Sequence, residues 1–69
     1  MLEEIIFLVK EAPEGGYTAQ ALGHSIFTEA DTWDELKEAT QDAVRCHFEE
    51  NKRPTLLHLR MVREEVLLV

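Results

Sequence analysis

Several things are scarce in this 69-residue chain, and each scarcity narrows what it does. There is one cysteine, Cys46, so no disulfide can form within the chain, which fits a reducing, cytoplasmic setting. Basic residues are few: 7 Lys and Arg stand against 14 Asp and Glu, a net charge of −7. Phosphates repel such a surface, so direct nucleic-acid binding is not expected and a basic protein is the better partner. No apolar run approaches the ~20 residues that cross a bilayer, so no membrane association is expected. The start, Met1-Leu2-Glu3-Glu4, is acidic where a secretory leader is basic. The length allows one domain, residues 1–69, with a small core.

What is present is 45% hydrophobic residues, in segments with clear periodicity. Residues 3–10, EEIIFLVK, are β-branched and aromatic, and predict a strand. Ile5, Phe7 and Val9 face one side and Ile6 and Leu8 the other, so this strand is expected to be central and covered on both faces. Pro13 and Gly15-Gly16 punctuate, and YTAQAL predicts a second strand paired with the first as a hairpin. A phosphate-binding loop would lead its glycines into a helix N-terminus; these lead into a strand. GHS is a second turn and IFTEA a short third strand.

Thr32 is a candidate N-cap, with Glu35 three residues on to close a capping box. The spacing predicts a helix from about Trp33 to Glu50, stopped by Pro54. Its apolar arc holds Trp33, Leu36, Ala39, Ala43, Val44, Cys46 and Phe48, with Thr40 and His47 near the middle. Its other face holds Asp34, Glu38, Gln41, Asp42, Arg45 and Glu49. TLLHLRMV predicts a fourth strand, with Leu57, Leu59 and Met61 alternating against His58, Arg60 and Val62. Val66–Val69 reads as a short apolar strand or arm.

The fold expected is therefore α+β in the order β-β-β-α-β. It is a three- to four-stranded, mainly antiparallel sheet with one amphipathic helix on one face. One helix covers one face only. The other face calls for another chain, so the protein is expected to be an oligomer, a partner-binder or both. Ile6, Leu8, Leu57, Leu59, Met61, Val66, Leu67, Leu68 and Val69 are the candidate interface residues.

No catalytic, cofactor-binding or metal-binding residues are assigned. His47 beside Cys46 invites a metal, but helix neighbours diverge by ~100° and zinc needs three or four converging ligands. His47 is expected as a core or interface histidine and Cys46 as a buried structural thiol. His24 and His58 stand alone on a turn and a strand. The paired carboxylates Glu3-Glu4, Glu49-Glu50 and Glu64-Glu65 lie at element ends, away from the strand centres where a metal-dependent nuclease gathers its acids. Trp33 is expected to pack against the sheet edge, with an interface role as the alternative.

The Gly15-Gly16-Tyr17 hairpin, the Thr28–Thr32 run into a capped helix, the Trp33-Asp34-Glu35-Leu36 start and the ending HLRMVREEVLLV together resemble the HicB-like antitoxin family. The resemblance spans nearly the whole chain. It implies a truncated ribonuclease-H-like fold and dimers or tetramers. It also implies a non-enzymatic module that masks a small basic mRNA-cleaving toxin. Full-length members carry a C-terminal DNA-binding domain that represses their own operon, and this chain reaches Val69 without one, so that role is not expected. The turn Leu22-Gly23-His24-Ser25 also departs from the family's Pro-Gly-Cys-like turn. The alternative is a solitary oligomeric structural or accessory protein without a toxin.

Overall fold

The computed structural model describes residues 3–69. The elements follow in the order β1 (Glu4–Glu11), β2 (Tyr17–Ala21), β3 (Phe27–Ala30), α1 (Trp33–His47), a 3-10 turn (Glu50–Lys52) and β4 (Leu56–Met61). The strands form one mixed sheet in the order β3-β2-β1-β4. β1 pairs antiparallel with β2, and β2 with β3; β4 lies parallel to β1. This is the expected α+β fold, mainly antiparallel, with β1 inside the sheet.

The hairpin turn follows from its glycines. Gly15 and Gly16 take φ of 102° and 81°, a region that L side chains rarely adopt. The Ala12 N–H donates to the Gly16 carbonyl and the Gly15 N–H to the Ala12 carbonyl, each at 3.0 Å. Gly16 also passes close to the end of β3: a Cβ there would stand 2.7 Å from the Ala30 carbonyl oxygen.

The core is built on the alternation of β1. Ile5, Phe7 and Val9 are buried beneath α1 with Ala19, Ala21, Ile26, Leu36 and Val44. Each large side chain so buried contributes about 1.5–3 kcal/mol. The alanines of β2 let the helix approach, and α1 lies nearest β3 and β2. Thr40 is fully buried in the helix stripe, and its hydroxyl donates to the Leu36 carbonyl at 2.9 Å, so no polar group is left unpaired there.

α1 ends at His47, three residues short of the predicted Glu50. Pro54 does not stop it. Extension would carry Glu49 and Glu50 into the negative end of the helix dipole, where carboxylates are unfavourable. Instead Arg45 and His47 occupy the last turn, and Phe48 turns extended while its N–H donates to the Val44 carbonyl at 3.1 Å.

The buried thiol expected of Cys46 and the core alternative for His47 are corrected. Cys46 and His47 are both exposed. The buried stripe is the narrow set Leu36, Thr40 and Val44, because a single helix laid on a sheet buries less than the broad arc drawn for it. His47, in the last turn, meets the rings of His24 and Phe48 rather than entering the core.

Candidate functional site

The strand register sorts the candidate interface residues between the two faces of the sheet. In β4 the partners of Ile5, Phe7 and Val9 are Leu57, Leu59 and Met61. Those three therefore lie on the helix side. Ile6 and Leu8 pair with His58 and Arg60 and lie on the opposite side. Ile6 and Leu8 thus do not share a face with Leu57, Leu59 and Met61, because parallel partners in register point the same way.

The face away from the helix is open. Ile6 and Leu8 sit half-buried at its centre. Leu22, Phe27 and Leu56, which the sequence reading did not assign, are exposed on it, Phe27 at 61%. Register explains their place: Phe27 pairs with Gln20, itself the partner of Leu8, and Leu56 pairs with Glu4. The signal in the sequence was parity. Leu56 shares it with His58 and Arg60, and Phe27 with Glu29, so each is a lone apolar residue in a polar row. The rim of this face is polar. His58 Nε2 stands 2.8 Å from a Glu4 carboxylate oxygen across β4 and β1.

On the helix side, α1 covers β4 only in part: Leu57 and Leu59 are half-buried against the core, and Met61 is exposed. A groove of about 400 Å³ runs between α1 and β4, with Ile5, Val44, Leu57 and Leu59 in its wall. Lys37, Arg45 and Arg53 also line it. Arg53 Nη2 donates to the Arg45 carbonyl at 3.1 Å, while its Nε is buried with no hydrogen-bond partner among the described residues.

Val66, Leu67, Leu68 and Val69 form an arm without regular secondary structure, exposed along its whole length. It is an arm and not a strand of the sheet.

The histidines are differently grouped from the sequence reading. His24 is not alone: its ring lies 5.9 Å from that of His47 and 5.1 Å from that of Phe48, both edge-on. Among the described residues no three His, Cys, Asp or Glu side chains are grouped to hold a metal ion. Trp33 is half-buried and packs edge-on to Tyr17 at 5.6 Å, at the start of the inner strand β2 rather than on an edge strand. Outside the sheet, the helix's solvent face carries Asp34, Glu35, Glu38 and Asp42, all exposed. No helix among the described residues is long and apolar enough to cross a membrane.

Two relatives match most of the chain. A UPF0150 protein of Archaeoglobus fulgidus is 60% identical over 55 residues, which cover 80% of this chain and 82% of that one. A UPF0150 protein of Thermotoga maritima is 43% identical over 67 residues, covering 97% of this chain and 94% of its own. No family model matches the chain. No solved structure matches it either.

Proposed function

The chain belongs to the UPF0150 family, and from its surface we propose that it is a non-enzymatic binding module: a cytoplasmic, self-associating antitoxin of the HicB-like kind that masks a small basic mRNA-cleaving protein. The observation that carries this reading is the open sheet face, with Ile6, Leu8, Leu22, Phe27 and Leu56 framed by polar groups and, among the described residues, no helix over them. Apolar surface of that kind, polar at its rim, is how a partner-binding patch is built. The acidic outer face of α1 and the net charge of −7 favour a basic partner, and speed its encounter more than they set its affinity. The resemblance to the HicB-like family supplies the toxin-masking role.

The test is to recover the tagged chain from its source with whatever binds it, and to assay the bound protein for RNA cleavage. A small basic protein that cleaves mRNA alone, and stops when the chain is restored in stoichiometric amount, is the expected result. Recovery of the chain without such a partner removes the antitoxin role. It would leave the second reading, a solitary oligomer, for which the open face alone is sufficient reason.

A further inference from the structure

The groove between α1 and β4 is a second apolar surface, and it is incomplete in two respects. Arg53 Nε is buried there without an acceptor, a costly state for a guanidinium N–H. β4 is also an edge strand, so one row of its backbone N–H and C=O groups has no strand beside it.

Residues 62–69 have the properties of the missing piece. Val66, Leu67, Leu68 and Val69 are 86%, 76%, 102% and 127% exposed. The molecule measures 51 × 23 × 17 Å, long in one direction only. Four consecutive aliphatic residues make a strand suited to cover on both faces, not a solvated tail. The preceding Val62-Arg63-Glu64-Glu65 holds no Gly, Pro, Asn or Asp, the residues that reverse a chain tightly. Nothing in it returns the arm to its own groove. Glu64 and Glu65 lead into the arm, and Lys37, Arg45 and Arg53 line the groove; Lys37 and Arg45 are paired with Asp34 and Asp42, which leaves Arg53 as the groove cation without a carboxylate partner among the described residues.

We propose that residues 66–69 dock along β4 of a second copy of this chain as an added strand, and that two copies exchange these arms reciprocally about a two-fold axis. Strand alternation accounts for the arm being apolar at every position. One set of side chains enters the groove against Leu57 and Leu59; the other joins Leu56 on the open face. Glu64 or Glu65 comes beside the Arg53 guanidinium, the groove cation that no carboxylate among the described residues already pairs. The inference goes beyond the masking of a basic protein and is tested without one, so either can fail alone.

The first experiment uses single-cysteine chains, each with Cys46→Ser. Leu57→Cys is mixed with Leu67→Cys, and separately with Leu68→Cys, and oxidised. Adjacent arm residues face opposite ways, so one of the two mixtures is expected to give a disulfide-linked heterodimer and the other little, since a disulfide needs Cα atoms about 4.4–6.8 Å apart. The second uses the intact chain with Leu67→Ser and Leu68→Ser together, at positions where no packing is lost within the monomer. Light scattering should show self-association weakened at least about tenfold, with an unchanged circular dichroism spectrum. No heterodimer in either mixture, the result expected if each arm folded onto its own groove, overturns the proposal. So does self-association of the serine variant equal to that of the parent.

Discussion

At the scale of single residues, the two glycines of the first hairpin look alike in sequence and differ in space. Both hold a positive φ, but Gly15 has nothing within 4 Å of where a Cβ would stand, while Gly16 faces the Ala30 carbonyl oxygen at 2.7 Å and the Asp31 Cα at 3.2 Å. Gly15→Ala is expected to cost about 1–2 kcal/mol, the penalty of a left-handed L-residue. Gly16→Ala should cost distinctly more, because backbone must move to admit the methyl group. Urea denaturation of the two variants checks the order, and equal losses would contradict it. Cys46 and His47 show how a neighbourhood overrides a residue's usual preference. Cysteine is commonly buried, yet here it lies outside the Leu36-Thr40-Val44 stripe and in solvent.

At the scale of elements, α1 has a start set by side-chain chemistry and an end set by charge. Thr32 takes an extended backbone and its Oγ1 accepts the Glu35 N–H at 3.1 Å. The same hydroxyl donates to the Glu35 carboxylate at 3.1 Å, so the two side chains brace one another. Thr32→Ala is expected to cost about 1 kcal/mol, the usual loss for an N-cap, read as a lower melting temperature. Thr32→Asp should recover most of it, since Asp caps as well and suits the positive end of the dipole. Failure of Asp to recover stability would place the loss elsewhere than the cap. The pairs Asp34–Lys37 and Asp42–Arg45 lie 3.1 Å and 2.9 Å apart on exposed turns and contribute little by comparison.

At the scale of the molecule, the decisive asymmetry is between the two faces of one sheet. Phe7, at 0% exposure under the helix, and Phe27, at 61% on the open face, are the same residue type with opposite duties. Phe7→Ala is expected to cost about 3–5 kcal/mol, comparable to all the stability a core this small supplies, and so to unfold the isolated chain. Phe27→Asp should leave stability within about 0.5 kcal/mol while weakening association through the open face at least about tenfold. Thermal unfolding and sedimentation of the two variants separate these effects. A Phe27→Asp chain that unfolds, or associates unchanged, would remove the open face from the binding surface.

Some of this was determined by the sequence alone. The alternation in EIIFLV places Ile5, Phe7 and Val9 together whatever surrounds them, because successive side chains on a strand point opposite ways. The glycine pair dictates a turn, and Thr32 with Glu35 dictates a helix start, because these are local backbone requirements. The uncovered face was legible too, from a count of one helix against a sheet with apolar residues on both sides. Only the tertiary structure decided which residues lie on which face. Leu57, Leu59 and Met61 alternate correctly in isolation, but the parallel register with β1 sets their side, and that register is a long-range choice absent from the segment itself. The groove beside β4 arises the same way: nothing in the helix sequence says that it will lie over β3 and β2 and cover β4 only in part. Local rules act through neighbours in the chain, whereas faces, edges and grooves come from residues distant in sequence meeting in space.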